Sequence, residues 1–201
     1  YLFDTSQTEW TGGKNADGMI AYPELEGLFQ QDKDGYYYYN SNCNYAYYDT
    51  SDPDNNQIIL YEHTYTQTNK QSGTFNSKPI GFFPFHDYNP KEASELWVNQ
   101  NNKLNHHIGM SMEVPFEIPK TREVVVNGES KHIIYDFSGD DDLWVFVDDE
   151  LVLDIGGIHQ PIKVQIDFTD GVVRVFNADG TDETTKTFSV GAHTLKMFYL
   201  E

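Results

Sequence analysis

The chain has 201 residues, with 32 Asp and Glu against 13 Lys and Arg, for a formal net charge of −19. That balance argues against nucleic acid, whose phosphates need a basic surface, and against anionic membranes. A single cysteine, Cys43, rules out an intrachain disulfide, and no run of about 18 apolar residues is present to span a membrane.

The first part of the chain, to about residue 103, is irregular and rich in Tyr, Asn, Gln and Gly. Turns are expected at Asp34-Gly35 and Asp52-Pro53. Tyr36–Tyr39 and Tyr45, Tyr47 and Tyr48 predict two strands of a sheet with a wet face. Tyrosines of this kind pack a shallow sheet with their hydroxyls in water, or offer an aromatic surface for sugar stacking. Cys43 is expected to be buried as a small hydrophobe. Asp52–Asn56 resembles the opening of an EF-hand loop, but Gln57 and His63 stand where that loop needs Gly and Glu, so a polar turn is expected. Asn89 as N-cap and Pro90 at the first turn predict a short helix over Pro90–Leu96.

From about residue 104 the pattern becomes that of antiparallel strands. EVVVNGESKHIIYDF predicts strand, Asn127-Gly128 turn, strand. LWVFVDDELVLDI bends at Asp148-Asp149, KVQIDFTDGVVRVF at Asp170-Gly171, and VRVFNADGTDETTKTFSV more loosely through Asp179-Gly180. Phe188–Leu200 predicts a further strand broken at Gly191. Short strands at this spacing predict an all-β fold, an antiparallel sandwich or barrel. With no linker and no repeat, the expectation is one domain over 1–201: an irregular portion over 1–103 and a β core over 104–201.

The acids are not spread evenly. Asp140-Asp141-Asp142 follow the apolar strand HIIYDF and precede LWVFV, which places them together at a sheet end. Adjacent carboxylates in a tight loop need a counter-charge. Ca²⁺, a hard cation that takes about six to eight oxygen ligands, fits that need. Asp148-Asp149-Glu150, in contrast, reads as a solvated turn. The seven histidines show no His-Glu-x-x-His zinc spacing. His159, after Gly156-Gly157, is expected to play a hydrogen-bonded structural role, and the glycines to allow positive φ or a close backbone approach. Trp144 is a candidate for stacking on a sugar, with core packing as the alternative. No Gly-x-Ser-x-Gly, no phosphate loop and no desolvated carboxylate pair marks an enzyme.

FSGDDDLWVFVDDELVLDIGGIH resembles the signature of the fibro-slime domain. That domain is a branch of the superfamily named after the N-terminal, PA-fourteen module of anthrax protective antigen. DGYYYYNSNCNYAYYD, GFFPFHDYN and HHIGMSMEVPF also resemble fibro-slime segments, and HTLKMFYLE resembles the start of the superfamily's last motif. The resemblance implies a PA-fourteen β-sandwich. In the superfamily's lectin members two neighbouring aspartates joined by a cis peptide bind Ca²⁺, and the ion holds vicinal hydroxyls of a glycan. Those positions fall on Asp140 and Asp141, with Asp142 where the lectins have Gly. Asp142, Trp144, Gly156, Gly157 and His159 then become candidate ligand-binding residues.

These readings converge on an expectation. The chain is a calcium-dependent carbohydrate-binding module of a secreted bacterial surface adhesin, without catalysis, nucleic acid or membrane insertion. Its partner is a glycan of a host or neighbouring cell, or a plant polysaccharide. The alternatives are a spacer domain in a surface fibre with a loop-stabilising Ca²⁺, and an accessory domain of a glycan-processing enzyme. No signal-peptide pattern opens the sequence; for an exported parent, the expectation is an excerpt without its sorting signals.

Overall fold

A computed structural model describes residues 22, 24–48, 57–62, 74–75, 78–79, 82, 84–85 and 108–201. The short helix expected over Pro90–Leu96, the turn at Asp52–Asn56, and His63, His86, His106 and His107 lie outside these residues. The described residues contain no helix, and every strand pair is antiparallel. The chain forms two compact units, residues 1–106 and 107–201.

The first unit is built from short hairpins. β1 (Gln30–Gln31) pairs with β2 (Tyr37–Tyr38) around the Asp34-Gly35 turn, where Asp32 Oδ1 accepts the amides of Asp34 and Tyr36. β3 (Asn44–Tyr48) pairs with β4 (Ile58–Glu62), and β5 (Thr74–Phe75) with β6 (Lys78–Pro79). The tyrosines therefore divide. Tyr37, 71 % exposed, belongs to one two-stranded sheet, and Tyr48, 1 % exposed, to another. Tyr48 packs edge-on to Phe85 and tilted against Tyr22, and its amide donates to the Pro84 carbonyl at 2.8 Å. Cys43 is exposed, contrary to the burial expected of it. It sits in a tight turn whose amides, those of Cys43 and Asn44, both donate to the Asn40 carbonyl, so the side chain is carried outside the adjoining strand.

The second unit is a β-sandwich. One sheet has the order β12-β11-β16-β7, made of β7 (Gly109–Ile118), β11 (Asp142–Val147), β12 (Glu150–Asp154) and β16 (Gly191–Leu200). The other has the order β10-β13-β14-β15, made of β10 (Ile134–Gly139), β13 (Ile162–Asp167), β14 (Val172–Asn177) and β15 (Gly180–Thr185). A separate hairpin, β8 (Val124–Val126) with β9 (Glu129–Lys131), turns at Asn127-Gly128. Both residues of that turn have positive φ, 53° and 84°, as a two-residue hairpin of this twist requires. Asp148-Asp149 uses the same geometry between β11 and β12, with φ of 50° and 67°.

Period-two alternation places the core. Leu143, Val145 and Val147 of β11 are buried, while Asp142, Trp144 and Phe146 turn to the other face. His193, Leu195, Met197 and Tyr199 of β16 repeat the pattern, opposite Val164 and Ile166 of β13 and Val173 of β14. Contacts cross between the sheets. The Tyr135 hydroxyl meets Met197 Sδ at 3.1 Å, and the Phe116 ring lies 4.8 Å from that of Phe168. Burying side chains of this size stabilises by about 1.5–3 kcal/mol each. β15, GTDETT, is exposed at all six residues and lies at the end of its sheet.

Candidate carboxylate site at one end of the sandwich

The segment from β10 to β11 carries the chain from one sheet to the other. Gly139 ends β10 opposite Ile162, and Asp142 begins β11 opposite Leu200. Asp140 and Asp141 form the bend between them. The last residue of β16, Leu200, brings Glu201 to the same end, where its amide donates to the Ile108 carbonyl at 3.0 Å. β12 ends here as well, so Gly156, Gly157 and His159 follow directly. Two hairpins and a sheet crossing thus gather residues far apart in sequence.

Each acid has a distinct role. Asp140 is exposed. Asp141 Oδ2 lies 2.6 Å from the Tyr199 hydroxyl, which also lies 3.0 Å from Glu201 Oε2. Asp142 Oδ1 accepts the Gly157 amide at 2.7 Å, tying the start of β11 to the loop after β12. Burial, followed by the charge of Asp141 and then that of Asp140, pushes the Glu201 carboxyl up to about 7. Burial and the bond to Asp141 likewise raise the Tyr199 phenol far above its ordinary value. Among the described residues, no Lys or Arg pairs with Asp140, Asp141 or Asp142.

The structure corrects one expectation directly. The Asp140–Asp141 peptide is trans, as are all peptides among the described residues. Its two side chains have separate surroundings, solvent for Asp140 and the Tyr199 hydroxyl for Asp141, so nothing offsets the roughly 2.5–4 kcal/mol of a cis bond.

The glycine-rich loop has a steric explanation. A Cβ on Gly156 would stand 2.7 Å from Trp144 Cζ2, so the indole lies flat against this residue's backbone. Trp144 is half-buried on the outer sheet face and does not join Leu143 and Val145 in the core. Gly157 has φ of 109°, which L side chains rarely adopt. Ile158 at the tip is fully exposed, at 108 %. His159 closes the loop, with Nε2 2.8 Å from the Ile155 carbonyl and Nδ1 3.0 Å from that of Gln160. Both neighbours only accept, which favours the doubly protonated ring. The Gln160 and Ile155 carbonyls raise its pKa, burial opposes them, and the charges of Asp142 and Asp140 add to the rise.

The expected site residues Asp140, Asp141, Asp142, Gly156, Gly157 and His159 therefore lie at one end of the sandwich, with Trp144 just behind the loop. Glu201 was not among them. The alternation of HTLKMFYL predicts a strand, but only its pairing with β11 brings its end to Asp141. Asp141 and Glu201 share the Tyr199 hydroxyl, and Asp140 stands exposed next to Asp141 in the bend.

No model of a known protein family matches the chain, and no solved structure does. Curated relatives do. The chain is 27 % identical over 164 residues to Protein psiB of Dictyostelium discoideum, covering 79 % of this chain and 24 % of that protein. It is 26 % identical over 150 residues to Protein psiF of the same organism, covering 72 % of this chain and 20 % of that one. It is 32 % identical over 118 residues to Protein psiD, covering 59 % of this chain and 21 % of that one. The chain thus spans less than a quarter of the length of these relatives, whose names state no activity or ligand.

Proposed function

We propose that this chain is a calcium-dependent carbohydrate-binding module of a secreted surface adhesin, without catalysis of its own. The observation behind the reading is the crowding of Asp141 and Glu201 on the Tyr199 hydroxyl at one end of the sandwich, with Asp140 exposed next to Asp141. A divalent cation would relieve that crowding and would leave coordination positions for vicinal sugar hydroxyls. The exposed Ile158 tip and the Trp144 indole beside it supply apolar surface at the same end. The fibro-slime resemblance of the Asp140–His159 block supports the same assignment.

A glycan array probed with and without chelator tests this reading. Binding that needs calcium and vicinal hydroxyls supports it. Binding that persists in chelator moves the function to a calcium-independent aromatic surface, for which Tyr37 is exposed.

One observation favours a second reading, a spacer domain. The Asp140–Asp141 bond is trans, Asp141 is bonded to the Tyr199 hydroxyl and Asp140 is exposed, so the two side chains have separate surroundings. Calcium stabilisation without any glycan binding would favour the spacer with its loop-stabilising ion over the lectin.

A further inference from the structure

We propose a second metal site, for a divalent cation of the zinc type, formed by His132, Asp167 and Asp170 at the opposite end of the sandwich. It is independent of the carboxylate site at Asp141.

Asp167 ends β13 and is only 4 % exposed. A carboxylate so deprived of water needs cationic or hydrogen-bonded partners on both oxygens. Oδ1 has them, accepting the amides of Thr169 and Asp170 at 3.0 Å each. Those bonds fix the turn into β14 and aim Oδ2 at His132, whose Nδ1 lies 2.9 Å away. The turn also delivers Asp170, whose Oδ2 lies 4.0 Å from the same nitrogen. One ligand atom from each of the three residues thus falls within 4.8 Å of the others. Arg122 braces the turn through the carbonyls of Thr169, Phe168 and Phe188, leaving the carboxylates to His132.

The far side of the imidazole makes this more than an ion pair. Nε2 lies 3.9 Å from Glu123 Oε1. Without metal, Nδ1–H donates to Asp167 Oδ2; on metal binding the ion would take the place of that proton, and the remaining proton would sit on Nε2, on the Glu123 side. Metal-binding histidines commonly donate that remaining proton to a carboxylate, a place Glu123 could take by closing the 3.9 Å gap. One nitrogen and two oxygens suit zinc, with a fourth position for water. Calcium prefers more oxygens and no imidazole. The site would join the end of β9 to the β13–β14 turn. Without metal, the His132–Asp167 hydrogen bond holds these elements together.

Thermal melts of the chelator-stripped 201-residue chain at pH 7.5, with and without a small excess of Zn²⁺, test the site. Zinc is expected to raise Tm by on the order of 5 °C. The His132 ring should lose its Nδ1 proton in nitrogen-detected NMR. H132Q and D170N, the latter at an exposed position, should fold and lose the zinc response. D141N should keep it. The proposal is overturned if zinc leaves the wild-type melt unchanged, or shifts H132Q and D170N as much as wild type. In that case His132 is only an imidazolium balanced by acids.

Discussion

His193 Nδ1 lies 2.6 Å from Asp148 Oδ2, and the other ring nitrogen lies 2.8 Å from the Ser189 carbonyl oxygen. The carboxylate and the carbonyl both accept, which favours protons on both ring nitrogens, while the Ser189 hydroxyl also stands 3.5 Å from Nε2. Asp148 in turn accepts the Thr194 amide at 2.9 Å. The β11–β12 turn is thus fastened to β16 by one histidine–carboxylate pair.

This pair predicts a stability plateau bounded on both sides. Burial pushes the His193 imidazole down, but the bond to Asp148, the Ser189 carbonyl and the Asp148 charge together lift it above 6.5. Its contribution is complete below pH 6.5 and is lost as pH rises through the lifted value. The Thr194 amide, then His193, lowers Asp148 below 3.8, so its contribution is present above 3.8 and is lost as pH falls through the lowered value. Urea midpoints measured from pH 3 to 9 should fall at both ends. His193→Gln should reduce the alkaline fall, with a cost at pH 6 of roughly 1–3 kcal/mol. An unchanged alkaline limb would show that the ring is neutral.

Calcium and the Asp141 charge should oppose one another. In chelator, Asp141→Asn keeps an acceptor for the Tyr199 hydroxyl and removes a charge that crowds Glu201. It should therefore stabilise the chain, by roughly 0.2–1 kcal/mol. In millimolar calcium the order should reverse. The wild type should gain up to about 2.7 kcal/mol at a hundredfold saturation, and Asp141→Asn should gain little. Asp140→Ala should weaken the calcium effect, and Asp142→Ala should do less. Superimposable melts in calcium and in chelator remove the cation from the proposed function.

Gly156→Ala should destabilise by about 1–3 kcal/mol, because the new methyl must displace the Trp144 ring. The Trp144 indole resonance should shift in NMR spectra. A neutral result would mean that the ring can swing clear, leaving it free to stack on a ligand.

Leu143→Ala, at a fully buried position, should cost about 2–5 kcal/mol. Val125→Ala, 72 % exposed on the β8–β9 hairpin, should cost less than about 0.5 kcal/mol. Chemical denaturation of the two variants checks the assignment of inner and outer faces.

The β core was legible because its turns are encoded locally. Asn127-Gly128, Asp148-Asp149 and Asp170-Gly171 each lie where a chain reversal occurs, and the alternation of LWVFV names its buried residues correctly. The strand predicted from Phe188 begins only at Gly191, since alternation alone does not show where pairing with β7 starts. HIIYDF looked continuous with the preceding hairpin, yet β9 and β10 are separate strands in different sheets, divided at His132 and Ile133. Tyr36–Tyr39 and Tyr45–Tyr48 were joined into one sheet because composition does not specify pairing partners. For the same reason the approach of Glu201 to Asp141, and of His132 to Asp167, was hidden: each depends on long-range register.

β15 has a consequence for how copies of this protein can meet. A strand at a sheet border is a template for another strand, and a bare border invites stacking into fibrils. Here Asp182 and Glu183 lie side by side along that border, held by Asn177 and Arg174 of the neighbouring strand. Two copies approaching border to border would press like charges together before any backbone bond could form. Crowding many copies of the chain therefore need not lead to growth along this edge.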